Sequence, residues 1–175
     1  MKPRPEPSHM KRNAAIAGCI AITLGALAYT FLGSSDQTGK SADVYYLDLN
    51  TSTIFVAPAN SWPPVETPSG PHEKEPAGVR VYLFSCEPCK DLNGKTLDEA
   101  KAMGATALWI EKYKPDAKKR LEEGDRKPET LMEGLLMRAP SGTKWLSPSG
   151  REGVALRKSV AQLCPGKTAV ACTPN

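Results

Sequence analysis

An uncharged run from Ala14 to Leu32 constrains this chain more than any other feature. As a helix rising 1.5 Å per residue it spans about 28 Å, against about 30 Å of hydrocarbon in a bilayer. Lys2, Arg4, Lys11 and Arg12 precede it, and no cation follows until Lys40. The positive-inside asymmetry therefore makes 1–13 a basic cytoplasmic tail and 14–33 a single-pass transmembrane helix. Residues 34–42, short and polar, read as a spacer, and 43–175 become an exported domain facing the periplasm or its equivalent. The membrane is the first partner the sequence implies.

Two other exported fates stay open. Ala26-Leu27-Ala28 fits a small-x-small signal cleavage site, but the apolar run continues through Leu32, which favours a retained anchor. Ile16-Ala17-Gly18-Cys19 is similar to a bacterial lipobox, except that the apolar block lies after Cys19. Within the span, Ala17, Ala21 and Gly25, with Ala28 beside Gly25, form a stripe of small residues on which two membrane helices could pack.

The tail takes most of the chain's formal charge of +4, so the exported part is near neutral and no nucleic-acid surface is indicated. The densest basic cluster, Lys112, Lys114, Lys118, Lys119 and Arg120, runs into Glu122 and Glu123, as a solvated helix face does. Only two histidines occur: His9 in the tail and His72 in a proline-rich stretch. A two-histidine metal site is thereby excluded from the exported part, and a histidine-activated nucleophile would have to use His72 alone, which reads as a solvated loop residue. Neither a Walker pattern nor Gly-x-Gly-x-x-Gly occurs. Asp48, Glu66 and Asp91 are too scattered to name an acid/base pair.

Along the exported chain, Val44–Leu49 and Thr53–Ala57 are β-branched and aromatic runs joined by Asn50-Thr51-Ser52, a hairpin. The proline-rich segment 58–77 is extended and irregular, with Trp62 expected to bury against that hairpin. Val79–Phe84 is a strong strand. Thr96-Leu97-Asp98-Glu99 spells a capping box, opening a helix whose partial apolar face runs through Leu97, Ala100, Ala107, Leu108 and Ile110. Pro115 starts a second helix closed by Gly124, and 125–129 is a charged linker. Leu135–Arg138 and Thr143–Leu146 flank Pro140-Ser141-Gly142 as a second hairpin. Arg151–Leu163 is an amphipathic helix with Leu156, Val160 and Leu163 toward the sheet. The fold class is α+β: a mostly antiparallel sheet of about five strands, two hairpins plus a central strand, with two or three helices.

Cys86, Cys89, Cys164 and Cys172 are the cysteines of the exported part. Three chemistries suit them. Structural disulfides suit an oxidising compartment; pairing Cys86 or Cys89 with the C-terminal tail would close loops worth on the order of 4 kcal/mol, more than neighbour pairing. A four-thiolate zinc site would use Cys86-x-x-Cys89 as one knuckle, although the spacing from Cys164 to Cys172 is wide; zinc is the one cofactor left open. A strand running into Cys-x-x-Cys also resembles the start of a thioredoxin active site, which would make Cys86 and Cys89 the thiol-disulfide oxidoreductase pair. That resemblance covers roughly ten residues, since Asn93-Gly94 interrupts the required helix.

Three stretches, Tyr45–Thr51, Pro63–Gly70 and Gly78–Cys86, resemble an uncharacterised group of single-span exported proteins from planctomycete bacteria. The resemblance implies an envelope location and a small cysteine-containing domain, with no activity or binding residue to carry over. The sequence thus leads to a membrane-anchored, non-catalytic interaction or assembly module with a protein partner in the cell envelope. The oxidoreductase and the zinc-stabilised binding module are its alternatives.

Overall fold

The computed structural model describes residues 42–174. The membrane-span reading, with Ala17, Ala21, Gly25 and Ala28, lies outside them. No helix among the described residues is long and apolar enough to cross a membrane.

The fold is α+β, built on an antiparallel sheet of six strands. Strands β1 (Asp43–Asp48) and β2 (Ile54–Pro58) form the expected hairpin, with Tyr46 opposite Phe55. A small second sheet pairs β3 (Pro71–His72) with β4 (Glu75–Pro76) inside the proline-rich segment. The central strand is β5 (Gly78–Ser85), flanked by β6 (Ala105–Tyr113), which pairs in turn with β7 (Leu135–Arg138). The short β8 (Val170–Ala171) pairs with Phe84 and Ser85, end to end with β1 along one edge of β5.

Among the described residues four helices decorate the sheet: α1 (Leu97–Ala102), α2 (Pro115–Glu122), α3 (Pro128–Glu133) and α4 (Arg151–Lys158). A single further turn, α5 (Val160–Leu163), follows a break at Ser159. The start of α1 is the capping box: the Thr96 hydroxyl accepts from the Glu99 amide, and the Glu99 carboxylate accepts from the Thr96 amide at 2.7 Å.

The helix expected to continue through Ile110 ends at Ala102 instead. Gly104 takes φ +91°, a left-handed stop that costs glycine little, and the Thr-Ala-Leu-Trp-Ile stretch beyond it is better suited to a strand than to a helix. The resulting β6 is the missing central partner of β5; with β8 also added and the Thr143–Leu146 strand lost, the sheet has six strands. A bulge between Tyr82 and Leu83 sets Trp109 opposite Tyr82 and Ala107 opposite Leu83. The second hairpin shrinks to one bridge between Met137 and Leu146, on the edge of β7 away from β6. The linker 125–129 gives way to α3, started by Pro128 at its first position.

Strand alternation sorts the sheet into two faces. Tyr45, Leu47, Ile54, Val79, Leu83 and Ile110 form a closed apolar core under α1 and Leu92. The opposite face carries Tyr46, Arg80, Tyr82, Trp109 and Glu111. The proline-rich strap crosses here, pinned by the Tyr113 amide donating to the Pro63 carbonyl at 2.8 Å. Trp62 packs edge-on against Tyr113, centroids 5.6 Å apart, with the Arg126 guanidinium 4.8 Å above it. It therefore serves β6 and α2 rather than the first hairpin, since the strap runs across the sheet before turning back.

Candidate functional site

Strand β5 delivers Cys86 just past its end, and β8 lies against that same end, so topology brings the Cys86-x-x-Cys89 loop beside the C-terminal segment. Cys86 is bridged to Cys164 with Cα atoms 5.5 Å apart, and Cys89 to Cys172 at 5.4 Å. This is the crossed, long-loop pairing. Cys164 and Cys172 are 3% and 8% exposed, and Cys172 and Cys89 both pack on the apolar core. The first bridge holds the segment that ends α5, and the second holds the tail at β8. An ion pair, Lys167 to Glu87 at 2.5 Å, links the same two segments at the surface and holds the Glu87 carboxyl below its usual range. A thioredoxin-type motif in its oxidised form would join Cys86 to Cys89. In this arrangement neither sulfur has the other as partner, and none of the four offers the thiolate that exchange or tetrahedral zinc needs. Among the described residues no group of three or more metal-ligating side chains is gathered.

The strap face holds a buried polar cluster that sequence reasoning passed over. Arg80 donates to the Ala59 carbonyl at 2.6 Å and to the Tyr46 hydroxyl at 3.4 Å, and Glu111 lies opposite it in the ladder. The Glu111 carboxylate accepts from the Trp109 indole at 3.0 Å and hydrogen-bonds Tyr82. Burial pushes the Glu111 carboxyl up despite these donors and the charge of Arg80. Burial, reinforced by Glu111, pushes the Tyr82 phenol to about 12. Tyr82 stacks on Trp109 with centroids 4.9 Å apart. The signal for the cluster was Arg80, the one charged residue of β5, and Glu111, its partner in β6.

The other face opens at its far end into a cavity of about 180 Å³. Val79 and Leu49 give it an apolar side, Lys112 and Arg138 project into its lining from β6 and β7, and Trp145 lies against both cations. The β3–β4 hairpin completes it. His72 is part of that wall, with Nδ1 2.8 Å from the Asn50 Oδ1, so it is an ordered strand residue rather than a loop one. The Asn50 amide also donates to Ser69 and Gly70, which ties the first hairpin turn to the strap. Beside it Asp48 is 6% exposed; burial alone would raise its carboxyl, but donors from Ser69, the Asn50 amide, Thr67 and the Thr51 amide outweigh burial and hold it low.

The remaining sequence candidates scatter. The basic cluster divides: Lys112 belongs to β6 and pairs with Glu75, while Lys118 on α2 donates to the Pro64 carbonyl at 2.6 Å. Asp91 accepts from the Asn93 amide at 3.0 Å, and Glu66 is exposed. No protein-family model, no curated protein and no solved structure matches this chain.

Proposed function

We propose that the chain is a single-pass envelope protein whose exported domain is a disulfide-clamped, non-catalytic binding module, acting through a protein partner in an envelope assembly. The observation that carries this reading is that Cys86, Cys89, Cys164 and Cys172 are all spent on bridges spanning 78 and 83 residues. Such bridges persist outside the reducing cytosol, where the uncharged run Ala14–Leu32 would send the domain. Sulfurs locked in long-range bridges serve stability, which favours binding over thiol exchange. The likeness to planctomycete envelope proteins points to the same compartment.

A C-terminal alkaline phosphatase fusion tests the compartment, because that enzyme matures only outside the cytosol. Activity, with the full-length fusion retained in carbonate-washed membranes, is the expected result. An inactive phosphatase fusion paired with a fluorescent cytosolic reporter fusion would overturn both the export and the tether. An active fusion shortened at Ala28 would replace the anchor by a cleaved signal.

A further inference from the structure

The near-neutral exported part hides a segregation of charge. Residues 42–137 carry twelve cations against sixteen carboxylates, whereas 138–174 carry six cations against Glu152 alone, so the body of the domain stands at −4 and its C-terminal segment at +5. Of those six, Arg138 is turned into the cavity, and Lys144 and Lys167 are spent on Glu152 and Glu87. Arg151, Arg157 and Lys158 remain, all exposed and none in an ion pair among the described residues. One terminal nitrogen of Arg157 donates to the Pro148 carbonyl, and its charge acts on the buried Glu111 from beyond ion-pair distance.

These three cations surround one apolar side chain. On α4, Arg151 precedes Val154 by three residues, and Arg157 and Lys158 follow it by three and four, the spacings at which helical side chains are neighbours. Val154 is 36% exposed and Val170, on β8, 45%; they are two of the three large hydrophobic side chains that the described residues leave exposed. The inner side of the same segment, Leu156, Val160 and Leu163, is half-buried, so the outer stripe is surplus to the packing.

A stable protein interface needs about 800 Å² from each partner around an apolar centre, which one valine ringed by cations does not supply. An anionic headgroup layer needs no matching pocket: it presents a continuous sheet of charge and admits a small apolar side chain between its heads. The fold adds proximity. Strand β1, which follows the spacer directly, and β8 share one edge of β5; Tyr46 pairs with Arg80 and Ala171 with Phe84, so the start of β1 and the tail after β8 run toward one another. The spacer 34–42 reaches at most about 30 Å when extended, which would hold the basic segment close to any bilayer that the run Ala14–Leu32 spans.

We propose that the outer stripe of α4, Val154 with Arg151, Arg157 and Lys158, docks on the anionic phospholipid headgroups of the membrane that anchors the chain. The inference rests on the tethered reading and goes beyond it, because it fixes which side of the domain faces the bilayer and which is left to a protein partner.

The test is methyl NMR of the full chain, labelled at valine, in lipid nanodiscs carrying a trace of headgroup spin-labelled lipid, with Val154 assigned by Val154→Ala. The expected result is broadened Val154 methyls in phosphatidylglycerol discs, with most of the broadening lost in phosphatidylcholine discs or at high salt. At about fivefold per cation near an anionic surface, Arg151→Gln combined with Lys158→Gln should lower the docked-to-free ratio about thirtyfold. Unshifted Val79 and Val81 methyls in the core certify that the variant is folded, and the contrast between lipids stands without any variant. A glutamate-rich peptide added to the phosphatidylcholine discs is the competing arm. A saturable Val154 shift with that peptide, and no broadening by phosphatidylglycerol, would assign the stripe to an acidic protein partner and overturn the proposal. Equal broadening in the two lipids, or undiminished broadening in the folded variant, would overturn it too. Co-elution of the chain with the discs reads the tether separately: co-elution without lipid-dependent broadening defeats the docking alone, and failure to co-elute defeats both.

Discussion

Replacing Cys89 and Cys172 together by alanine removes one bridge and leaves the other, and the crossed pairing fixes how much each removal costs. Either bridge alone closes a loop of about 80 residues, worth about 4.5 kcal/mol in the chain-entropy picture. Once Cys86 is tied to Cys164, the second bridge closes only the short path through the two cysteine segments, about a dozen residues, worth roughly 3 kcal/mol. The first pair removed, whichever it is, should therefore cost about 3 kcal/mol and the second about 4.5 kcal/mol. Neighbour pairing, Cys86 with Cys89 and Cys164 with Cys172, would instead give independent losses of about 2 and about 2.5 kcal/mol. Urea unfolding of the parent, the two paired variants and the four-alanine variant, followed by tryptophan emission, forms the cycle that separates these cases. Additive small losses would refute the crossed frame. A coupling of about 1.5 kcal/mol, with a total loss of about 7.5 kcal/mol, is the outcome that the structure requires.

Three further outcomes follow from local geometry. Glu111 has its folded-state pKa raised, so the native state holds more protons than the unfolded state between the two values. Stability should fall as pH rises from about 4.3 through the folded pKa and then level off, and Glu111→Gln should flatten that slope in urea titrations run at several pH values. A Cβ on Gly134 would meet the Ala117 Cβ at 2.2 Å and the Thr130 carbonyl at 2.7 Å, so Gly134→Ala should cost about 2 kcal/mol by overpacking where α3 meets α2, read as a lower urea midpoint. Lys74→Gly relieves the left-handed second position of the β3–β4 turn and should raise stability by about 1 kcal/mol in the same assay.

Where a residue type answered to its immediate neighbours, the sequence was readable. The first hairpin, the capping box at Thr96, the proline start of α2 and its glycine stop at Gly124 all lie where short-range chemistry puts them. Strand β6 was misread because Ala107, Leu108 and Ile110 satisfy a helical spacing as well as a strand alternation; pairing with β5 decides between them, and that partner lies more than twenty residues away. The linker lost to α3 had its signal in Pro128, outweighed by the charged residues around it. For the site, the identity of the four cysteines and the advantage of crossed bridges were legible, but the choice of pairs depends on β8 docking beside the end of β5. Arg138 and Trp145 could not have been singled out at all. Nothing local marks them, and only the β6–β7 register and the hairpin in the strap bring Lys112, Glu75 and the indole into one cavity.

The measurement closest to the whole account is a non-reducing peptide map of the protein alkylated at the moment the cells are opened. Cross-linked peptides joining Cys86 to Cys164 and Cys89 to Cys172, with none of the four alkylated, are the expected result. A Cys86–Cys89 bridge, or four alkylated thiols in freshly opened cells, would contradict both the clamped module and the compartment assigned to it.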